Sequence, residues 1–256
     1  MALRRFYAWL VITEQASHDP TVHLRAPRIT PGEIPVYPPD QIGQILGHTG
    51  SLTHLRGRIR HTIVATLRFI GMRSGELRTL RRDRLDLQAE QALVIGKGLR
   101  PRIVVIPPPL RPILWAFLDE VRPELPDSPL LLSNPSSRVT TPSIGFSHEA
   151  LYREVELAGR GADVPGRHFP HRWRHTFATE LNMRGGVDIH LVQRLLGHSS
   201  IASTLGSSHL AIDDLQDTVA GLFADDQRWP VARPRRCRPR CCAIGGRPLA
   251  YLGGTF

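Results

Sequence analysis

The stretch that decides the fold is HRWRHTFATELNMRGGVDIHLVQRLLGHSSIASTLGSSHL, which runs from His171 to Leu210. Apolar residues recur at helical spacing over His171–Met183, and Pro170 stands where such a helix would begin. His171 and Arg174 are three residues apart, so they share one face of this helix. A helix N-terminus favours anions, so a phosphate could contact both side chains and the helix dipole together.

The second half of this stretch predicts another helix over Ile189–Leu196, capped by Gly197 and followed by His198. A histidine at such a place is usually structural when considered alone. His171 and His175 also have the i, i+4 spacing of metal ligands. No glutamate follows His171, however, and the arginines beside it would repel a cation, so the pattern favours phosphate over metal.

Upstream, two β-branched runs, Ala92–Ile95 and Arg102–Ile106, flank Gly96-Lys97-Gly98 and predict a hairpin. Lys97 is the only lysine in the chain. An ammonium can release a proton when its pKa is lowered, whereas a guanidinium holds its proton at neutral pH. Lys97 is therefore a candidate proton donor; the alternative is an exposed turn residue without a chemical role.

The run GMRSGEL, residues 71–77, places Arg73 at a junction between two predicted helices. Glu76 lies three residues further on and can hold the guanidinium in an ion pair. Arg73 is thus either a phosphate ligand or one half of a structural ion pair.

Periodicity along the rest of the chain predicts a mainly α fold with one small antiparallel β-sheet. The expected organisation is a helix over 1–16, a Pro-rich linker over 17–39, a domain over 40–222 and a basic, disordered tail over 223–256. The predicted helices begin near Asp40 and then cover Leu55–Ile70, Leu77–Leu85, Ile113–Val121, Glu149–Leu157, His171–Met183, Ile189–Leu196 and Leu215–Leu222.

The chain has a formal net charge of +10, which favours a polyanionic partner, most often nucleic acid. Half of this net positive charge lies in the tail, residues 223–256. A nucleic-acid partner for the rest of the chain therefore has to be argued from where its basic residues cluster, not from their number. The body has no cysteine, which suits a reducing compartment, and no apolar run reaches the ~18 residues of a membrane span. We therefore expect a cytoplasmic protein.

The motifs GMRSGEL, IGKG before a strand, HRWRHTFAT and LLGHSS occur together in this order, and with them residues 40–222 resemble the tyrosine recombinases, the phage-integrase family. The resemblance implies that Arg73 and Arg174 grip the scissile phosphate, and that Lys97 protonates the leaving 5′-oxygen. It also implies that His171 acts as acid–base and that His198 donates a hydrogen bond to a phosphate oxygen. The family uses no metal or nucleotide cofactor, because a phosphotyrosine link conserves the bond energy.

The sequence departs from this family at Ser207, nine residues beyond His198, where the resemblance places the nucleophilic tyrosine. A serine hydroxyl stands closer to the backbone than a phenol oxygen, and a misplacement of ~1 Å can cost about 100-fold in rate. An aliphatic alcohol is also much less acidic than tyrosine, whose pKa is about 10, and it needs an adjacent base. We therefore expect this copy to be deficient in cleavage. The chain has four tyrosines, Tyr7, Tyr37, Tyr152 and Tyr251. Only Tyr251, in the tail, remains open as a nucleophile that would enter the site of another copy in trans.

The resemblance implies duplex DNA as the partner, for DNA integration and site-specific recombination. Residues 1–39 resemble the last helix of the family's core-binding domain and the linker after it, so we expect that domain to be truncated. A homotetramer on DNA, formed by exchange of residues 211–222, and a hetero-assembly with an active relative both remain open. The alternative function is a non-catalytic DNA-binding remnant or regulator. A type IB topoisomerase shares the site plan but needs the same tyrosine.

Overall fold

The computed structural model describes residues 2–24, 34–96, 101–135, 145–183 and 210–223. It contains two compact units, Met1–Ile34 and Pro35–Phe256. The first unit holds helix α1 (Ala2–Ile12), which is shorter than the helix predicted over 1–16. Its apolar side chains are exposed, Phe6 and Trp9 each by 51%.

The second unit is built mainly from helices, as the sequence predicts. These are α2 (Pro39–Ser51), α3 (Leu55–Ile70), α4 (Ser74–Arg78), α5 (Arg111–Ala116), α6 (His148–Gly161), α7 (Pro170–Met183) and α8 (Leu210–Phe223). Helix α3 has the predicted bounds and is the centre of the core, since it packs against α2, α6 and α7. Most of its side chains from Ile59 to Ile70 are therefore buried, whatever direction they point.

A small antiparallel sheet with strand order β1-β2-β3 lies beside these helices. Its strands are β1 (Leu85–Asp86), β2 (Gln91–Ile95) and β3 (Pro101–Val105). Strands β2 and β3 form the predicted hairpin, with Ile95 opposite Pro101 at the end nearest its tip. The tip itself, residues 97–100, lies outside the described residues. A mainly α domain with one small antiparallel sheet is confirmed.

The helix predicted over Leu77–Leu85 is wrong. Helix α4 ends at Arg78, and a single 3₁₀ turn over Arg82–Arg84 leads into β1. The backbone here pairs with a later segment instead of with itself: Leu131 N–H donates to Leu80 O at 2.7 Å, and Arg82 N–H donates to Pro129 O at 2.9 Å. Local periodicity does not reveal such a distant partner.

The helix predicted over Ile113–Val121 is present but irregular. It begins as α5 and continues as one π-helical turn over Phe117–Val121. The second unit also begins earlier than the predicted start near Asp40, because Tyr37 is buried in the core with 2% of its surface exposed. A single aromatic residue in a Pro-rich segment carries no periodicity, so its burial escapes a pattern-based prediction.

Helix α8 includes the predicted Leu215–Leu222 and docks onto the core through Val219 and Phe223. The Phe223 ring lies 5.0 Å from the Phe69 ring and 6.4 Å from the Phe177 ring. The guanidinium of the buried Arg68 lies 5.1 Å from the centre of the Phe223 ring. The end of α8 is therefore held by an aromatic cluster that joins α3 and α7.

Candidate active site

The turn between α3 and α4 brings Arg73 to the site. Gly71 caps α3 with a φ of 65°, in the left-handed region that favours glycine. A Cβ there would lie 2.3 Å from the Phe177 ring, so no side chain fits. The chain then turns through Met72, and Arg73 takes the position just before α4. Arg73 thus lies at a helix junction, as the sequence predicts.

Glu76 is the buried carboxylate around which this turn is organised. It is 3% exposed and accepts a hydrogen bond of 2.8 Å from the backbone N–H of Arg73. Its oxygens also accept bonds from Arg73 Nη1 at 3.0 Å and from Arg102 Nη2 at 2.8 Å. The predicted Arg73–Glu76 ion pair is confirmed.

The two arginines keep Glu76 ionised although it is buried. Burial is the largest single effect and would raise the pKa of this carboxyl, but the hydrogen bond and charge of Arg102 act against it. The backbone N–H and the guanidinium of Arg73 act in the same direction, and together they hold the pKa of Glu76 below its ordinary value. The carboxylate is therefore a fixed negative charge at neutral pH.

Arg174 reaches the same place from α7. It is 6% exposed, and its Nη1 donates a hydrogen bond of 2.8 Å to Gly71 O. Burial, the positive charges of Arg73 and Arg102, and the opposing charge of Glu76 set its pKa, which is lowered to about 10. The charges of Arg73, Arg102 and Glu76 therefore act on the Arg174 guanidinium.

His171 lies one turn before Arg174 on the same helix, as predicted, and its side chain is exposed. Partial desolvation lowers the pKa of its imidazole, and the charges of Arg174, His175 and Arg73 lower it further. His171 is therefore neutral at pH 7, and one ring nitrogen can accept a proton.

The electrostatic balance of this cluster favours an anion. Among the described residues, the charged groups of this cluster are the guanidinium groups of Arg73, Arg102 and Arg174 and one carboxylate, that of Glu76. The excess is positive and partly desolvated, which strengthens the attraction for an oxyanion compared with bulk water. Guanidinium forks match the oxygens of phosphate, so the cluster can bind a phosphodiester and stabilise charge on its oxygens.

Among the six predicted site residues, the structure brings Arg73, His171 and Arg174 together. The other three, Lys97, His198 and Ser207, lie outside the described residues. Strand β3, which follows the tip that carries Lys97, is tied to the site because its Arg102 donates to Glu76.

Arg102 is the site residue that the sequence interpretation misses, since it assigns this arginine only to a strand. The signal was weak: a lone charged residue among β-branched neighbours also suits the solvent face of a hairpin. Only the hydrogen bond from Arg102 Nη2 to Glu76, seen once the chain is folded, identifies Arg102 as part of this cluster.

No group of three or more histidine, cysteine, aspartate or glutamate side chains in the described part of the chain could hold a metal ion. His175, the second residue of the i, i+4 pair, lies 3.4 Å from the Thr179 hydroxyl through its Nδ1. Within the same part of the chain, no helix has the length and apolar character needed to cross a membrane.

Comparison with known proteins assigns the family. Residues 36–210 match the phage integrase family, and this match covers more than half of the 256 residues. The chain therefore belongs to the phage integrase family, the tyrosine recombinases.

Individual relatives agree with this assignment. The chain is 30% identical over 240 residues to tyrosine recombinase XerC of Actinobacillus succinogenes, covering 91% of this chain and 74% of that protein. It is 28% identical over 221 residues to tyrosine recombinase XerD of Listeria monocytogenes serotype 4b, covering 84% of this chain and 71% of that protein. The fold is similar to that of the XerH site-specific recombinase in a pre-cleavage complex with its difH substrate. The TM-score is 0.57 and the sequence identity is 23%, and the match covers 77% of this chain and 57% of that one.

Proposed function

We propose that this chain binds duplex DNA and holds one backbone phosphate at the cluster of Arg73, His171 and Arg174. The observation that carries the proposal is the buried Arg174 guanidinium, which lies in the fields of Arg73 and Arg102 with Glu76 as the opposing charge. An excess of partly desolvated positive charge is stable when an anion neutralises it. The named relatives are recombinases, and one related fold was solved with its DNA substrate, which supports DNA as the source of that anion.

The domain that performs this binding is proposed to span residues 40–222, together with the short segment from Pro35 that packs onto it. Residues 1–16 and 17–39 would then be a helix of a core-binding domain and the linker after it, and 223–256 a basic tail. We place the protein in the cytoplasm, with a tetramer on DNA through exchange of residues 211–222 as the proposed assembly.

The reaction class that fits the family is DNA strand transfer for integration and site-specific recombination. Lys97 would protonate the leaving 5′-oxygen, His171 would act as acid–base, and His198 would donate to a phosphate oxygen. Ser207 occupies the position of the tyrosine nucleophile, and its hydroxyl has neither the reach nor the acidity of a phenol. We therefore propose that this copy binds DNA without cleaving it.

The alternative is that the chain serves as a non-catalytic DNA-binding remnant or as a regulator of an active relative. Ser207 favours this alternative, because a bound but uncleaved site would still block or recruit an active copy. Mixing the chain with an active relative on one recombination substrate separates the two: a regulator changes the relative's recombination rate, and an inert remnant does not.

Binding is tested with a fluorescently labelled DNA duplex by anisotropy. Affinity should fall steeply between about 50 and 200 mM salt, because each neutralised phosphate releases condensed counterions. Arg174→Gln should weaken binding about tenfold and reduce the slope of log affinity against log salt by about 0.9, the value for one lost phosphate contact. Arg81→Gln is the matched control, since Arg81 forms an exposed ion pair with Asp83. An affinity that does not depend on salt would contradict the proposal.

Cleavage is tested with nicked duplexes of randomised sequence, which trap a covalent protein–DNA link when a strand is cut. The wild-type chain should give no detergent-resistant adduct. Ser207→Tyr should give one, provided that the other five predicted residues are assembled. An adduct that maps to Ser207 or Tyr251 in the wild-type chain would overturn the proposed deficiency.

A further inference from the structure

Tyr37 is not part of the proposed phosphate site, but it contacts the same helix, α7. Tyr37 lies near the beginning of the second unit and is 2% exposed. Its backbone N–H donates to Thr176 Oγ1 at 2.9 Å, and its ring lies 4.4 Å from that of Trp173. Its hydroxyl lies 2.9 Å from His168 Nδ1. The segment that enters the domain is thus fastened to the helix that carries His171 and Arg174.

The protonation of His168 follows from its partners. His168 Nε2 lies 2.9 Å from Val164 O, and a carbonyl oxygen only accepts, so Nε2 carries the proton. Nδ1 must then accept, and the Tyr37 hydroxyl donates to it. Burial lowers the pKa of His168, with Arg172 and Arg160 contributing, while the Val164 bond and Glu156 act against the shift. The imidazole is therefore neutral at pH 7 and holds Tyr37 in one orientation.

Arg172 lies over the ring of Tyr37. It is 5% exposed, and its guanidinium carbon lies 3.8 Å from the ring centre. Its Nη1 donates to Arg167 O at 3.0 Å, and its Nη2 donates to Val36 O at 3.3 Å. In the described part of the chain, this buried cation is held by two carbonyl oxygens and an aromatic face. A desolvated cation–π contact of this kind is a strong one.

These contacts alternate along α7 with the proposed phosphate ligands. Arg172, Trp173 and Thr176 contact Tyr37, whereas His171 and Arg174 belong to the phosphate cluster. Because one rigid turn of helix carries both sets, a shift on one side moves the other. A misplacement of ~1 Å can cost a reaction about 100-fold in rate, which shows how closely such groups must be positioned.

We propose that Tyr37, clasped by His168, Arg172 and Thr176, is a positioning residue for the phosphate site. In this account the entering segment sets where α7 presents Arg174 and His171 to a DNA phosphate. The inference rests on the proposed function, because it assumes that the cluster of Arg73, His171 and Arg174 binds DNA.

The test compares DNA affinity with stability in the full chain. Tyr37→Leu removes the ring beneath Arg172, and Tyr37→Phe removes only the bond to His168. With a labelled duplex, at a temperature where circular dichroism shows each variant to be folded, Tyr37→Leu should bind about fivefold to tenfold more weakly and Tyr37→Phe about twofold. Tyr152→Leu is the control, since Tyr152 stacks on His148 in α6 and should leave affinity unchanged.

A double-mutant cycle with Arg174→Gln distinguishes positioning from stability. If Tyr37 acts through the phosphate site, Tyr37→Leu should cost less affinity in the Arg174→Gln background than in the wild type, and fully additive losses would contradict positioning. If Tyr37→Leu fails to fold, Arg172→Lys replaces it, because an ammonium keeps the charge but cannot span both carbonyl oxygens. Wild-type affinity in Tyr37→Leu or in Arg172→Lys overturns the inference alone, whatever happens to the melting temperature. Wild-type affinity in Arg174→Gln overturns the proposed function, and this inference with it.

Discussion

Arg174 on α7 donates a hydrogen bond of 2.8 Å to the carbonyl oxygen of Gly71, the residue that caps α3. The contact is possible because Gly71 has no side chain and adopts a φ of 65°. Phe177, on the turn of α7 that follows Arg174, occupies the space where a Cβ would lie. One glycine therefore joins the end of the core helix to a buried cation of the site.

Gly71→Ala should lower the free energy of unfolding by about 3 kcal/mol, because it combines a left-handed backbone with overpacking against Phe177. Urea denaturation measures the change. Gly75→Ala is the control: a Cβ there meets nothing within 4 Å, and alanine favours the helix by up to about 1 kcal/mol. A Gly71→Ala protein as stable as the wild type would show that the junction is not packed as described.

Glu76→Gln should also destabilise the protein, by about 3 kcal/mol, since it leaves Arg73 and Arg102 without their buried carboxylate. Asp83→Asn breaks an exposed pair with Arg81 and should change stability little.

The pH dependence gives a second readout for Glu76. Folding lowers the pKa of Glu76. Its contribution to the free energy of unfolding is therefore complete above the unfolded-state pKa of 4.5, and it is lost as pH falls through the folded-state pKa. The acid limb of stability below about pH 4.5 should therefore be shallower in Glu76→Gln than in the wild type. Equal slopes for the two proteins would mean that Glu76 is not ionised by its arginines.

His61 predicts pH dependence in a different range. Burial lowers the pKa of this imidazole from 6.5 to about 4. The unfolded chain binds the proton first, so the free energy of unfolding should fall by about 2 kcal/mol as pH drops from 6.5 to 4. His61→Gln keeps a hydrogen-bond donor for Thr49 and should remove most of the change in stability between pH 6.5 and 4. His148→Gln, at an exposed position, should leave that change as it is in the wild type. The same pH slope in wild type and His61→Gln would contradict the prediction.

Phe223→Ala tests the docking of α8. Removing a ring that contacts Phe69 and Phe177 should cost about 3 to 5 kcal/mol of local stability. Limited proteolysis should then cut within α8 at lower protease concentration, while the core from α2 to α7 stays resistant. The exposed Asp217→Ala is the control. Cleavage of the whole domain at once would show that α8 and the core unfold as a single unit.

The helices were predictable where a long amphipathic or apolar pattern decides them. The bounds Leu55–Ile70 and the hairpin of β2 and β3 follow from residue spacing alone. The failures involve partners distant in sequence: Leu80 pairs with Leu131, and Tyr37 with Thr176. Neither contact produces a periodic pattern in the sequence around the residues that form it.

The site was predictable only where its residues lie in short local motifs. Arg73, His171 and Arg174 stand in short motifs, and the i, i+3 spacing already links two of them. Arg102 is separated from Glu76 by 26 residues, and only a side-chain hydrogen bond in the folded chain joins them. The clasp of Tyr37 by Arg172 spans more than a hundred residues and has no motif of its own.

The most direct measurement of the central claim is a double-mutant cycle for duplex DNA binding with Arg73→Gln and Arg174→Gln. If both guanidinium groups hold the same phosphate, each single variant should weaken binding about tenfold, and the double variant should lose little more than the weaker single one. Losses that add fully, or single variants that bind like the wild type, would contradict a shared phosphate site.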